Sequence, residues 1–524
     1  MKRPWFVISV LTIAALALIL RLPALSHRPM HGDEAVHTVK CNTLWTTGEY
    51  RYDAQDYHGP TLYYATLPAI WLSDAKDYRD ASETTFRVVP VLFGVGIVLL
   101  LLLLGDAVGR PAAVVSGLLI AVSPAMVYYS RYYIQEMLLA FFTLAALATG
   151  WRYVCCRRRV WALACGACLG LMHTTKETSL ISFGAMLPAL FGAMVWKRRA
   201  SPESSRHHAA GNVLTLVGAA LIAVVVSFTC YSVLFTNFEN LHEVLRALPA
   251  YWRRGAEVSI HHHPWFYYLH TLLFAHLAPG PMWTEGLIVV LALIGAVVIV
   301  KSRQPAGTSG KFPPFLMLYT VFLVFFYSAI PYKTPWCVVQ MLSPMILLGG
   351  VGAVAVFRGL RWAPARVAAV SLLAAGGIHL AQQAYAASFK FSADSRNPYA
   401  YAHPVNDVKN LAGWLDKVAE VHPDGRAMLI KIIHPDPWPL PWYLRAYARV
   451  GYWEEMPRDV AAPVIICGLQ QQPTLETRLQ GDYRVDHYGL RPGSMLAVYV
   501  QRALYERFAR QQSTTSETDG AGHE

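Results

Sequence analysis

The sequence predicts a polytopic α-helical membrane protein with about 11 transmembrane helices, followed by a small C-terminal α/β domain outside the membrane. Of the 524 residues, 55% are hydrophobic and only 15% are charged, and the mean hydropathy is +0.33. Disordered, collagen-like and disulfide-stapled secreted chains do not tolerate so much apolar surface. The apolar residues lie in successive segments separated by polar loops, which indicates a helical bundle.

A helix needs about 20 apolar residues to cross the hydrocarbon core of a bilayer. The segments that meet or approach this length are 5–22, 84–104, 112–128, 137–154, 160–172, 178–196, 212–235, 286–300, 315–330, 336–357 and 364–384. The first has a basic start, but Arg21-Leu-Pro follows it where a signal peptide would have small residues, so we interpret it as a retained span.

The loops predict the orientation of the bundle. Lys and Arg collect on alternate connections, from Lys2 and Arg3 to Arg358, Arg361 and Arg366. Cytoplasmic loops carry such an excess, so we expect a multi-pass protein of the cytoplasmic (inner) membrane with a cytoplasmic N-terminus. The net charge of +12 therefore reflects topology and contact with membrane lipids. It does not indicate nucleic-acid binding, because the cations lie in short clusters beside apolar runs.

An odd number of spans places the C-terminal segment on the extracytoplasmic side. There the apolar period changes, which predicts an amphipathic helix over 405–421 and strands over 427–433, 464–467 and 495–500. The predicted organisation is a transmembrane domain over 1–385, an α/β domain over 396–510 and a disordered tail over 511–524.

An acidic pair follows directly after the first span. Asp33 is a candidate general base that takes a proton from an incoming hydroxyl, and Glu34 could hold a metal or orient that base. The alternative is that the pair caps a helix beginning at Ala35, because acids favour a helix N-terminus. The dipeptide alone favours the capping role.

Three short loops on the predicted external side each contain one isolated cation: Arg131, Lys176 and Lys333. Such cations suit the phosphate of a lipid-linked substrate. The alternative is interfacial residues or ion pairs, with Arg131 facing Glu136 and Lys176 facing Glu177. Because all three loops share the feature, phosphate binding is favoured.

His58 lies in the first long external loop, where His58-Gly59-Pro60 predicts a tight turn into an interfacial helix. Its imidazole could bind a sugar hydroxyl or act as a second base. The alternative is a plain turn residue.

Four motifs carry a resemblance to a known family: His31-Gly-Asp-Glu-Ala35, Tyr57-His-Gly-Pro60, Ser130-Arg-Tyr-Tyr-Ile-Gln-Glu136 and Trp438-Pro-Leu-Pro-Trp-Tyr-Leu444. With them, residues 1–385 resemble the GT-C glycosyltransferase superfamily, in particular its protein mannosyltransferase and aminoarabinose transferase branch. More narrowly, the chain is similar to the prokaryotic flippase-activity-associated Agl proteins. The resemblance implies a GT-C-like bundle.

The resemblance also implies site residues. Asp33 matches the first-loop catalytic aspartate and Glu34 its acidic neighbour. Arg131 and Glu136 fall in a second-loop motif in which relatives often have an aspartate in place of the glutamate.

Two further lysines and a histidine match the family pattern. Lys176 and Lys333 stand where relatives present cations to the lipid phosphate. His58 matches the histidine of an HPP-like motif, with Gly59 in place of the first proline, which leaves its role open.

The implied reaction is inverting transfer of a sugar from a polyprenyl-phosphate-linked donor to a hydroxyl of an extracytoplasmic protein, lipid or glycan. A lipid-linked donor suits the predicted topology, because nucleotide sugars are cytoplasmic whereas the candidate residues are external. No cofactor is required by the sequence. A divalent ion, Mg²⁺ or Mn²⁺, could share the phosphate's charge if Asp33, Glu34 or Glu136 held it.

The alternative function is a flippase or flippase accessory for lipid-linked sugars, in which the same cations guide a phosphate without catalysis. A transporter needs no general base, so Asp33 distinguishes the two functions. The third hypothesis is a structural family member without catalytic activity, whose C-terminal domain recruits a partner.

Overall fold

The computed structural model describes residues 1–53, 58–200, 209–256, 261–301 and 312–520. Within these ranges the α-helices are α1 (Arg3–Arg21), α2 (Gly32–Thr47), α3 (Thr61–Trp71), α4 (Glu83–Leu104), α5 (Arg110–Val122), α6 (Pro124–Ser130), α7 (Glu136–Cys156), α8 (Arg159–Thr175), α9 (Ser179–Ala200), α10 (Ala209–Tyr231), α11 (Glu239–Ala256), α12 (Tyr267–Leu273), α13 (Gly286–Lys301), α14 (Phe312–Ala329), α15 (Val338–Gly359), α16 (Ala363–Tyr385), α17 (Asp407–Glu420), α18 (Leu440–Tyr443), α19 (Gln472–Arg478) and α20 (Arg502–Gly520). The strands are β1 (Ala275–His276), β2 (Met282–Trp283), β3 (Leu429–Ile433), β4 (Arg449–Trp453), β5 (Val464–Gly468), β6 (Tyr483–Arg491) and β7 (Ser494–Gln501).

The protein is a multi-pass membrane protein. In the described ranges, eight helices are long and apolar enough to cross a bilayer, namely α1, α4, α7, α9, α10, α14, α15 and α16. The predicted span 112–128 is divided between α5 and α6, which are bent by 61° and bring the number to nine if they count as one span. The predicted spans 160–172 and 286–300 correspond to the shorter helices α8 and α13.

The two short helices pack closely within the bundle. A Cβ atom at Gly166 of α8 would lie 2.1 Å from the Ala219 carbonyl oxygen of α10, and one at Gly352 of α15 would lie 2.0 Å from the Leu291 oxygen of α13. Helices in a membrane gain contact area when small residues let backbones approach in this way.

The bend between α5 and α6 is built from a capped proline break. Pro124 cannot donate a backbone hydrogen bond, so the helix restarts there, with Ser123 as its N-cap. The buried carboxylate of Glu285 accepts hydrogen bonds from Ser123 Oγ at 2.6 Å and Ala125 N at 2.9 Å. Tyr399 donates a third bond at 2.9 Å. Glu285 thus stabilises the break with side-chain acceptors.

The C-terminal region forms a five-stranded sheet in the order β4-β3-β5-β7-β6. The pairs β4-β3 and β3-β5 are parallel, and β5-β7 and β7-β6 are antiparallel. The predicted strands correspond to β3, β5 and β7, and the predicted amphipathic helix to α17. The edge strands β4 and β6 were not predicted, because their charged and half-buried residues lack a continuous apolar pattern.

The predicted disordered tail begins inside a helix. Helix α20 runs through residues 511–520, and residues 521–524 lie outside the described ranges. Near its start, Tyr505 and Phe508 pack against the core of the sheet domain, and Phe508 contacts the Trp414 ring. The packing of these two aromatic residues stabilises the first turns of α20, and the polar residues that follow continue the same helix.

The sheet domain docks on the bundle through the Trp438–Leu444 motif. Trp442 is fully buried, contacts the rings of Tyr78 and Phe86, and donates a hydrogen bond to Glu83 at 3.2 Å. Arg445 stacks on Trp442 and donates to the carbonyls of Tyr78 and Ala81. Trp442 and Arg445 thus dock the sheet domain on the bundle.

Candidate active site

The candidate site begins at the N-terminus of α2, which starts at Gly32 and not at Ala35. His31 is the N-cap: its Nδ1 atom accepts a hydrogen bond from Asp33 N at 3.0 Å. Glu34 completes a capping box by accepting from His31 N at 3.0 Å. The acidic pair is therefore divided between two roles. Glu34 caps the helix, whereas the Asp33 side chain is 47% exposed.

Glu34 is completely buried and bound to two arginines. Arg87 makes a bidentate contact at 2.8 and 2.6 Å, and Arg28 donates at 2.9 Å. Tyr133 N donates a further bond at 2.9 Å. Burial alone would raise the pKa of Glu34, but Arg28 and Arg87 lower it to about 2. Glu34 is thus ionised at neutral pH, and its two ion pairs fix it beneath Asp33.

Side chains from distant segments surround Asp33. His31 Nδ1 lies 3.9 Å from Asp33 Oδ2. Burial lowers the pKa of His31, and because Nδ1 accepts from the backbone, its Nε2–H donates to the Tyr401 carbonyl at 3.0 Å. The Tyr401 hydroxyl lies 2.7 Å from His261 Nδ1, and the Tyr401 ring contacts Trp336.

These aromatic and imidazole groups form a rim suited to binding a sugar ring and its hydroxyls. Sequence reasoning did not assign His31, Trp336, Tyr401 or His261 to the site. The aromatic composition of their loops was the available signal, and the same composition is typical of an interfacial belt.

Lys176 pairs with Glu136, not with its sequence neighbour Glu177. Its ammonium group contacts Glu136 Oε1, and both side chains are buried. Burial lowers the pKa of Lys176, but Glu136 more than offsets this and the pKa is raised. Gln340 Nε2 donates to the Glu136 carbonyl at 3.1 Å, which joins α7 to α15.

Glu177 instead binds His58. His58 Nδ1 lies 2.7 Å from Glu177 Oε2, and the Tyr52 hydroxyl donates to Oε1 at 2.6 Å. Burial would raise the pKa of Glu177, but His58 and Tyr52 lower it to about 2. His58 is therefore oriented by a buried carboxylate, which a plain turn residue would not need. Residues 54–57, which precede it in its motif, lie outside the described ranges.

Arg131 is held by the end of α1. It donates to the carbonyls of Arg21, Pro23 and Ala24 at 2.5, 2.7 and 3.2 Å, and does not pair with Glu136. Burial and the neighbouring arginines, first among them Arg28, lower the pKa of Arg131 to about 9.

Lys333 has no carboxylate partner in the part of the chain that the structure describes. Its ammonium group donates to the carbonyls of His263, at 3.2 Å, and Ile330. The residue is 1% exposed overall, and burial lowers the pKa of its ammonium group. Among the described residues, Lys333 and Arg131 thus donate hydrogen bonds only to backbone carbonyls, whereas Lys176 is paired with an acid.

The suggested metal ligands do not fit a resident divalent ion. Glu34 and Glu136 are already bound to cationic side chains. Within the described residues, no group of three His, Cys, Asp or Glu side chains is arranged to hold a metal. The transfer reaction proposed for this site does not use a metal.

Solved structures of other proteins share this architecture. The structural match to ArnT from Cupriavidus metallidurans bound to undecaprenyl phosphate covers 96% of this chain and 99% of the ArnT chain, with a TM-score of 0.65 and 16% sequence identity. The chain has the GT-C fold. A second match is the oligosaccharyltransferase of Archaeoglobus fulgidus tethered with an acceptor peptide, with a TM-score of 0.53 and 16% identity. This match covers 86% of the present chain and 64% of the oligosaccharyltransferase chain.

Sequence comparison supports the same GT-C assignment. Residues 61–242 match the family model for dolichyl-phosphate-mannose-protein mannosyltransferase. No curated protein sequence matches the chain. The narrower resemblance to the Agl proteins stays a prediction.

Proposed function

We propose that the protein is a glycosyltransferase that moves a sugar from a polyprenyl-phosphate-linked donor to a hydroxyl of an extracytoplasmic protein, lipid or glycan. The observation that carries the proposal is the division of the acidic pair. Glu34 forms ion pairs with two arginines, whereas the Asp33 carboxylate is half-exposed beside the aromatic rim. The ArnT structure that shares this fold binds undecaprenyl phosphate, which supports a lipid-linked donor.

In the proposed reaction the acceptor oxygen attacks the anomeric carbon of the sugar. The bond between that carbon and the phosphate oxygen breaks, and polyprenyl phosphate leaves with the bonding electrons. The acceptor proton passes to the Asp33 carboxylate, which acts as the general base. A single displacement of this kind inverts the anomeric centre.

The cations stabilise the departing phosphate. Lys333 supplies the direct contact in this proposal, because its ammonium group has three donors and only two carbonyl partners among the described residues. Lys176 and Arg131 add positive charge nearby, with Glu136 positioning Lys176. His58, oriented by Glu177, is the proposed contact to a sugar hydroxyl of the donor.

The contacts at the two ends of α1 support the proposed orientation. Its last residues are capped by Arg131, near Asp33, and its 19 residues span about 28 Å at 1.5 Å per residue. At the opposite end the Met1 carbonyl accepts a hydrogen bond from Arg110, in the predicted basic, cytoplasmic face. We propose that the N-terminus lies in the cytoplasm and that the domain over 396–510 lies on the outer side of the cytoplasmic (inner) membrane.

The test compares wild type, Asp33→Asn and Asp74→Asn, full-length and purified into lipid nanodiscs at matched amounts. Transfer of radiolabelled sugar from a panel of polyprenyl phosphates is measured. Asp74, an exposed aspartate of the same loop, is the control. We expect Asp33→Asn to lose about 100-fold or more of the transfer rate, as for removal of a general base, and to retain donor binding, while Asp74→Asn keeps wild-type transfer.

Wild-type transfer in Asp33→Asn would refute the proposed base. If the wild type moves no sugar from any donor but translocates the lipid across the bilayer of sealed proteoliposomes, the flippase function replaces the transferase.

A further inference from the structure

Four arginines are buried together where α1 ends against the first external loop. Arg131 donates to the Arg21 carbonyl, Arg28 donates to the Arg131 carbonyl, and Arg87 donates to the Arg28 carbonyl. In the described part of the chain, Glu34 is the one carboxylate that forms ion pairs with any of them. Four positive charges thus face one negative charge, and buried charge that is not offset is costly.

A small cavity lies within this group. Its volume is about 10 Å³, and its lining residues are Leu25, Arg28, Arg87, Tyr128, Arg131 and Ser388. This is about the space that one water-sized sphere requires. The cavity admits a single small occupant.

The lining contains one hydrogen-bonding side chain that has no partner in the described part of the chain. Ser388 is 5% exposed, and its Oγ atom has no hydrogen-bond partner among the described residues. The guanidinium groups of Arg28 and Arg131 line the same cavity. A buried polar group without a partner ordinarily marks a bound ion or water.

We propose that this cavity is a binding site for a monoatomic anion, chloride under physiological conditions. Ser388 Oγ–H and the guanidinium groups of Arg28 and Arg131 are its ligands, and Arg87 adds positive charge from the cavity lining. A water molecule would satisfy one or two of these donors but would leave the excess positive charge in place. An anion does both.

The site would join three parts of the molecule. Ser388 lies in the π-helical turn Ala386–Lys390, which connects α16 to the sheet domain. Arg131 holds the end of α1, and Arg28 holds Glu34 beneath Asp33. Chloride therefore stabilises the floor of the candidate active site, whether or not the proposed reaction is correct.

The first test measures the melting temperature of the full-length protein in nanodiscs. Chloride is exchanged for gluconate at a constant ionic strength of about 150 mM, which keeps screening of surface charge unchanged. We expect chloride to raise the melting temperature of the wild type by about 2 °C or more. Ser388→Val, which removes a ligand and fills the cavity, should lose this response.

The matched control is Ser182→Val, a buried serine of α9 that does not line the cavity. It should keep the wild-type response to chloride. A wild type that melts at the same temperature in both salts overturns the proposal, and so does an undiminished response in Ser388→Val.

The second test needs no variant and decides the matter if Ser388→Val does not fold. Crystals of the wild-type chain grown in bromide are measured at the bromine absorption edge. An anomalous peak between Arg28, Arg131 and Ser388 supports the site. Peaks confined to the protein surface, or none, overturn it.

Discussion

Replacing Glu34 by glutamine removes the carboxylate that Arg28 and Arg87 share while keeping the shape of the side chain. The change leaves two buried guanidinium groups without a counter-charge and points an amide N–H₂ group toward their donors. Two backbone donors, His31 N and Tyr133 N, also bond to this carboxylate. The variant therefore disturbs the N-terminus of α2 and the segment between α6 and α7 that contains Tyr133.

The size of the effect follows from the pKa of Glu34. A pKa lowered from 4.5 to about 2 in the folded protein corresponds to about 3 kcal/mol of stabilisation at neutral pH. Removal of one partner from a buried ion pair costs a similar amount, about 3 to 5 kcal/mol. Because the folded-state pKa is depressed, this contribution is complete above pH 4.5 and disappears as the pH falls through about 2.

The assay is thermal unfolding of full-length protein in nanodiscs at pH 7, with Asp33→Asn as the matched control one residue away. We expect Glu34→Gln to lower the melting temperature by about 5 °C or more. Asp33→Asn, at an exposed carboxylate, should stay within about 1 °C of the wild type. A Glu34→Gln protein as stable as the wild type, or an Asp33→Asn protein equally destabilised, would refute the division of roles between the two acids.

Three further outcomes are expected. Lys333→Gln should raise the KM for the lipid-linked donor about 10-fold or more, because a charged hydrogen-bond donor to the phosphate is lost; an unchanged KM in steady-state transfer assays would remove Lys333 from the donor site. Trp442→Ala should destabilise docking of the sheet domain by about 3 kcal/mol or more and speed its release by limited proteolysis, whereas cleavage at the wild-type rate would contradict the docking role. In acid, the wild-type melting temperature should fall as the pH drops from 4.5 towards 2, because the depressed pKa values of Glu34 and Glu177 lie near 2; the double variant Glu34→Gln/Glu177→Gln should show a flatter profile, and a profile identical to that of the wild type would count against both ion pairs.

The membrane architecture of this protein was readable from the sequence. Each predicted span is a local run of apolar residues, and a bilayer imposes the length of that run on every helix that crosses it. The strands β3, β5 and β7 were also predicted, because buried central strands are continuously apolar. The edge strands and the bend between α5 and α6 were not, since both depend on partners far away in the chain, such as Glu285 for the bend.

The candidate residues were found from the sequence, but their partners were decided by the tertiary structure. Successive residues of a helix are rotated by about 100°, so Asp33 reaches the rim while Glu34 turns into the arginines. Lys176 and Glu177 likewise diverge, one to Glu136 and the other to His58. Residue type and spacing therefore determined which groups could do chemistry, whereas the packing of distant segments decided which charges are neutralised and which remain available to a substrate.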